Sequence, residues 1–117
     1  MKINFNHIFK DENGNNVVLN QADKKPLSFK EAAKLALLYP PTSKTVSASE
    51  KIKRHDLAVR IYNFPESVIL NEQEKPLLIE ALGDVFIPIV VGAANAIMEG
   101  KEPPTFNKEV IEDVEKQ

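Results

Sequence analysis

Few residue types that could perform catalysis or bind metal occur in this sequence. The chain has 117 residues, two histidines and no cysteine, which excludes a disulfide framework, a thiolate zinc site and a cysteine nucleophile. His55 is followed by Asp56, but neighbours on a helix point about 100° apart, so we expect no oriented base–carboxylate pair. His7 alternates with Phe5 and Phe9 and is predicted to lie at the edge of the core. The sequence therefore predicts no catalytic residue, no metal site and no cofactor.

Four basic residues on one predicted helix could contact phosphate groups, namely Lys51, Lys53, Arg54 and Arg60. Periodicity predicts that all four face outward, although carboxylates four residues before Arg54 and Arg60 could pair with half of the set. The sequence lacks an aromatic platform, a glycine-rich phosphate loop and a basic tail. Nucleic-acid association through this face is therefore an alternative function, not the favoured one.

Small residues on the last predicted core helix form a second candidate site. Gly92 and Ala96 are four residues apart on one face, with the polar Asn95 beside them. Glycine inside a helix costs about 1 kcal/mol relative to alanine, so a packing reason is expected. We favour close contact with another helix of the same domain, and contact with a protein partner or a second copy is the alternative. Gly92, Asn95 and Ala96 are therefore candidate protein-contact residues.

Composition predicts a folded, soluble domain with a cytoplasmic location. About 43% of the residues are apolar, 27% are charged, and the net charge is −2. The N-terminus does not resemble a signal peptide, and the most apolar stretch, residues 86–98, is too short to span a bilayer. Charge is uneven, with a net +5 over residues 1–60 and a net −7 over residues 61–117. The two halves are expected to neutralise each other in the fold, and a dipolar surface is the alternative.

Helix-capping signals divide most of the chain into helices. Ser28, Ser47 and Asn71 each stand three residues before a glutamate and just ahead of an apolar-periodic run. These signals predict helices over about residues 28–38, 48–63 and 72–82, the first of them central. Gly83 is predicted to end the third helix. A fourth is expected over residues 85–99, with Asp84 as its cap, Pro88 in its first turn and Gly100 at its end.

The helix predicted over residues 48–63 carries apolar residues on more than one side. Ile52, Val59 and Tyr62 are predicted to form the stripe that faces the core. Leu57, Ala58 and Ile61 are expected to widen that stripe.

The first twenty residues read as a β-hairpin whose turn is Asn13-Gly14. Residues 68–70 could add a third strand or plug the core. The predicted fold class is α+β and mainly α: an N-terminal hairpin packed on a compact bundle of about four helices. Residues 1–100 are expected to form one globular domain, and residues 101–117 a linker followed by a short, loosely packed acidic helix.

A resemblance that covers about residues 27–99 rests on residues 50–54, residues 57–62 and residues 71–74, followed by Leu82-Gly83, Phe86, Pro88, Val90-Val91-Gly92 and Glu99. The resemblance is to a group of small uncharacterised proteins encoded by tailed phages and prophages. It implies a phage gene product that works in a bacterial host cytoplasm or in virion assembly, and it implies no catalytic residue.

The favoured function is a non-enzymatic protein-binding module, such as a phage accessory, assembly or host-takeover factor. It is expected to have a protein partner, with self-association as an alternative and no membrane partner. A small enzyme whose carboxylates converge only in the fold is a further alternative.

Overall fold

The computed structural model describes residues 2–18 and 24–103. Within them the chain forms, in order, β1 (Lys2–Ile3), α1 (Phe29–Leu38), α2 (Ala48–Asn63), β2 (Val68–Ile69), α3 (Glu74–Val85) and α4 (Pro88–Met98). The predicted α+β, mainly helical fold with four helices is confirmed. The predicted acidic C-terminal helix falls in residues 104–117, which lie outside the described residues.

Short antiparallel contacts hold the N-terminal segment together. Asp11 Oδ1 accepts hydrogen bonds from the amides of Asn13 and Asn15, and Gly14 has a φ of 80°, as a tight turn requires. An isolated bridge joins Lys10 to Asn16 across that turn. The predicted hairpin is therefore present around its turn.

The strand pairing brings distant parts of the chain together. β1 pairs with β2 in antiparallel register, Lys2 opposite Ile69 and Ile3 opposite Val68. The possibility that residues 68–70 add a strand is thus realised next to β1. The amide of Phe5 donates to the carbonyl of Pro65 at 2.6 Å, which extends this contact.

Helix α1 is central because seven of its ten residues are small or apolar. It packs against both α2 and α3, whereas α4 packs against α3. Its buried residues are Phe29, Ala32, Ala33, Ala36 and Leu37. The ring of Phe29 lies 4.2 Å from that of Phe5 and 5.6 Å from that of Phe9, so the N-terminal segment covers the start of α1.

The hydrogen bonds predicted at the three capping signals are all formed, but α3 begins at Glu74 rather than at residue 72, and its N-cap position is Gln73 rather than Asn71. Ser28 Oγ accepts from the amide of Glu31, and Ser47 Oγ accepts from the amide of Glu50, each at 3.2 Å. Asn71 makes the reciprocal version, because its Oδ1 accepts from the amide of Glu74 at 2.8 Å while Glu74 Oε1 accepts from the amide of Asn71 at 3.0 Å.

The predicted boundary between α3 and α4 is wrong. Gly83 does not end α3, which continues to Val85. The backbone of Gly83 does not adopt the positive φ that a glycine has when it ends a helix. Asp84 lies inside α3 and does not cap α4; the cap position is Ile87, followed by Pro88. Gly100 does end α4, with a φ of 78°.

None of the helices in the described residues combines the length and apolar character needed to cross a bilayer.

Candidate protein-interaction surface

Helix α2 turns a different side to the core from the one predicted. Its buried residues are Arg54, Leu57, Ala58 and Ile61, which follow one another at helical spacing. Ile52 lies nine residues before Ile61, and at about 100° per residue this places it on the opposite side of the helix. The prediction of Ile52, Val59 and Tyr62 as the core stripe is therefore wrong. Leu57, Ala58 and Ile61, which were expected only to widen that stripe, face the interior instead.

The outer side of α2 carries a second apolar stripe. Ile52, His55, Val59 and Tyr62 follow a spacing of three and four residues, the pattern by which one helix packs along another. We call these four residues the α2 seam. Ile52 is 62% exposed, Val59 43% and Tyr62 41%. The helix thus exposes three large apolar side chains, with the polar His55 among them, while its other side is buried.

Lysine side chains border the seam on the side of α1. The Nζ atoms of Lys30 and Lys34 lie 4.9 and 4.7 Å from the centroid of the Tyr62 ring. Lys51 lies on the same edge, since it precedes Tyr62 by eleven residues, or about 20° around the helix. The acidic Asp56 lies on the other edge of the seam, where it lines a cleft between α2 and α3.

His55 and Asp56 contact each other despite their adjacent positions. Asp56 Oδ1 lies 3.2 Å from His55 Nδ1, and both side chains are mostly exposed. The expectation that these neighbours cannot pair is wrong, because side chains free in solvent rotate toward each other along the helix surface. Both side chains are surrounded largely by water. In water, an imidazole–carboxylate contact has little effect on reactivity.

The four predicted phosphate-contact residues do not form one surface. Lys51 and Lys53 are exposed. Arg54 is only 2% exposed, so the expectation that it faces outward is wrong. Arg60 is exposed, as predicted, but it is paired: its Nη2 donates to Glu74 Oε1 at 2.6 Å and to the carbonyl oxygen of Ile69 at 3.3 Å.

The small-residue face of α4 does not pack on another helix. Gly92 and Asn95 are exposed and Ala96 is partly buried. Apart from its two chain neighbours and the adjoining backbone of α4, no heavy atom lies within 4 Å of the position that a Gly92 Cβ would take. The favoured alternative of close packing inside the domain is therefore wrong for Gly92. A partner contact at Gly92, Asn95 and Ala96 stays a prediction.

Acidic side chains line the cleft between α2 and α3, which has a volume of about 740 Å³. Each of its four carboxylates already contacts a basic side chain, in the pairs Glu50–Arg54, Asp56–His55, Glu74–Arg60 and Glu80–Lys44. Among the described residues, no group of three or more acidic, histidine or cysteine side chains is arranged to hold a metal ion.

Local contacts shift the pKa values of two further ionisable groups, Lys44 and His7. Lys44 lies 2.5 Å from Asp84 Oδ2 and 2.7 Å from Glu80 Oε1, and these hydrogen bonds raise its pKa. They also tether the loop between α1 and α2 to α3. Burial lowers the pKa of His7, assisted by the charge of Lys10, and its ring stands edge-on to Phe9 at 5.5 Å. His7 thus lies at the edge of the core, as predicted.

The chain has no match among protein-family models, curated proteins or solved structures. The surface geometry therefore carries the functional argument. Sequence reasoning missed the seam because it assigned Ile52, Val59 and Tyr62 to the core. The available signal was the presence of two apolar stripes on one helix, of which a single-layer packing can bury only one.

Proposed function

We propose that this protein is a non-enzymatic protein-binding module that holds a helix of its partner along the α2 seam. The observation that carries the proposal is the exposure of three large apolar side chains on α2, with Ile52 and Val59 opposite the core and Tyr62 at the edge nearest α1. Burying one such side chain stabilises a complex by about 1.5–3 kcal/mol before the costs of association are subtracted. Large apolar residues grouped on an exposed face are typical of interaction sites.

Helix packing is the mode of binding that the seam supports. A helix of sixteen residues is about 24 Å long and presents about four turns to a partner. The spacing of the seam matches the knobs of helix-into-groove recognition, in which residues at three- and four-residue intervals anchor the partner. Tyr62 adds a rigid aromatic side chain at one end, a residue type enriched among energetically dominant interface contacts.

The alternative functions gain less support from the same surface. Nucleic-acid binding would rely on Lys51 and Lys53, because Arg54 is buried and Arg60 is paired with Glu74. Two lysines would supply only a small share of the phosphate contacts that typical binders make. A carboxylate enzyme would need an unpaired acidic group in the cleft, whereas the four carboxylates there contact basic side chains.

The biological setting remains the one implied by the sequence resemblance. A phage accessory, assembly or host-takeover factor in a bacterial cytoplasm would need a surface for one protein partner. The binding proposal does not depend on that setting, since it rests on the exposed side chains of α2.

Site-specific photo-crosslinking in the cells that naturally produce the protein tests this function. A benzophenone amino acid is placed at position 59 and, in a second version, at position 87. Ile87 is a matched control because it is apolar and 59% exposed but lies at the start of α4. We expect a discrete crosslinked protein from position 59 and none of the same size from position 87. Absence of any protein crosslink from position 59 would overturn the proposal.

A further inference from the structure

Charge along the α1 edge of the seam indicates which helices bind there. Three lysines, Lys30, Lys34 and Lys51, border this edge, and Lys34 Nζ also lies 3.0 Å from Oε2 of Glu31. The other edge carries Asp56, followed around the helix by Arg60, which is paired with Glu74, and by Lys53. The seam is therefore apolar at three of its four positions and is bordered by lysines on the side of α1.

We infer that the partner segment is an acidic amphipathic helix, with apolar residues at three- and four-residue spacing and carboxylates along the edge that meets α1. This inference rests on the proposed function and names the chemistry of its partner. Carboxylates on that edge would reach Lys30 and Lys34 beside Tyr62. At the other end of the seam they would reach Lys51. Opposite charges flanking an apolar seam select both the partner and its orientation.

Pre-positioning of the lysines strengthens the argument. Both Lys30 and Lys34 already lie over the Tyr62 ring, so part of the ordering of these long side chains precedes binding. Hydrogen bonding to Glu31 raises the pKa of Lys34 and keeps this side chain charged. An incoming carboxylate would thus meet cations that are held at the end of the seam.

A second copy of this chain is a poorer match for the same edge. The seam region of a second copy would offer Asp56 and Glu31 but would bring its own three lysines to the contact. Like charges facing each other across an interface oppose association. We therefore assign the seam to a helix from a different protein.

Three designed peptides of about three heptads each test the charge requirement. They share the same leucines at the apolar positions and carry glutamate, glutamine or lysine at the flanking positions. Binding to the full chain is followed by fluorescence anisotropy. We expect the glutamate peptide to bind about tenfold more tightly than the glutamine peptide, the lysine peptide to bind most weakly, and the glutamate advantage to shrink as salt is added.

Variants of the chain separate the contribution of charge from that of apolar contact. Lys30→Gln with Lys34→Gln is expected to remove most of the preference for glutamate while binding of the glutamine peptide is unchanged. Ile52→Ser with Val59→Ser is expected to abolish binding of all three peptides. Ile87→Ser is the matched control and should bind as the wild type does, because Ile87 is the N-cap of α4 and lies away from the seam.

The outcomes distinguish this inference from the function on which it rests. Equal binding of the glutamate and glutamine peptides, still lost with Ile52→Ser and Val59→Ser, would overturn the acidic partner and leave the helix-binding module intact. Failure of every peptide to bind would overturn the inference, and the crosslink from position 59 would then decide the function separately.

Two other occupants of the seam have their own signatures. A dimer in light scattering that Ile52→Ser converts to a monomer would show that a second copy binds there, and would overturn the inference. Tighter peptide binding by the full-length variant Val110→Asp with Val114→Asp would show that the C-terminal residues of the chain compete for the seam. That result would also overturn the inference.

Discussion

The Nε atom of the buried Arg54 lies 3.3 Å from Oε2 of Glu50, one turn earlier on α2. Glu50 sits at the cleft between α2 and α3 and is partly exposed, so the pair joins the interior to the surface. The two Nη atoms of Arg54 are buried and have no hydrogen-bond partner among the described residues. A guanidinium in this state loses hydration that one contact through Nε only partly offsets.

Arg54→Met is expected to keep or increase the stability of the fold. Methionine retains most of the length of the side chain and removes the buried charge, an exchange that is often neutral or stabilising. Arg54→Ala is the comparison variant, and its cavity should lower the free energy of unfolding by about 2–4 kcal/mol. Urea denaturation followed by circular dichroism measures both. A loss with methionine as large as that with alanine would show that the guanidinium itself stabilises the fold.

Gly92→Ala is expected to raise the free energy of unfolding by up to about 1 kcal/mol. The position is helical and exposed, and apart from its chain neighbours and the adjoining backbone of α4 no heavy atom lies within 4 Å of the added Cβ. Gly92→Leu should also be tolerated for the same reason. Gly14→Ala is the opposite case, because a φ of 80° costs an L-residue about 1–2 kcal/mol. Thermal melts of the three variants check the predicted signs, and a strongly destabilising Gly92→Leu would contradict the open face.

Val90→Asp is expected to prevent folding, whereas Ile87→Asp should be neutral or stabilising. Val90 is completely buried, and an unpaired carboxylate there costs several kcal/mol. Ile87 occupies the N-cap of α4 with extended backbone and no side-chain acceptor. Aspartate at such a position accepts an orphan amide and is worth about 1 kcal/mol. The loss or retention of a cooperative helical melt distinguishes the two, and a folded Val90→Asp protein would refute the burial.

Acidification is expected to destabilise the fold through His7. Its pKa in the folded protein is lowered by burial, so between that pKa and the ordinary value of about 6.5 the unfolded chain binds a proton that the folded chain does not. The stabilising contribution is thus present above about pH 6.5 and is lost as the pH falls below it. His7→Gln removes this contribution. The difference in unfolding free energy between wild type and variant should therefore change between about pH 7.5 and about pH 5.5, and a constant difference would contradict the prediction.

Local signals predicted the fold better than they predicted which side of a helix faces inward. Ser28, Ser47 and Asn71 form their caps because capping depends on residues three positions apart and on nothing distant. The core orientation of α2 depends on where α1 lies, and the apolar pattern permits two answers. The core side of α2 was predicted wrongly partly because of Arg54. A charged residue is expected at the surface, yet Arg54 lies on the core face with Leu57 and Ile61.

The predicted boundary between α3 and α4 was wrong for a similar reason. Gly83 is a common helix stop, but glycine also continues a helix when packing on either side favours it, as Leu82 does here by burial. The binding surface could not be predicted from residue types, because isoleucine occurs both at the surface and in the core of this protein. Only the position of Ile61 against the core reveals that Ile52, nine residues away, faces solvent.

The pairing of β1 with β2 affects how the chain folds as a ribosome makes it. Phe5 and Phe9 leave the exit tunnel before α1, whose Phe29 covers them, and well before Val68–Ile69, which complete the first strand's hydrogen bonds. These aromatic side chains are therefore uncovered for an interval after they emerge. Slow translation of the segment before residue 70 would prolong that interval and increase engagement by chaperones that bind exposed aromatic segments.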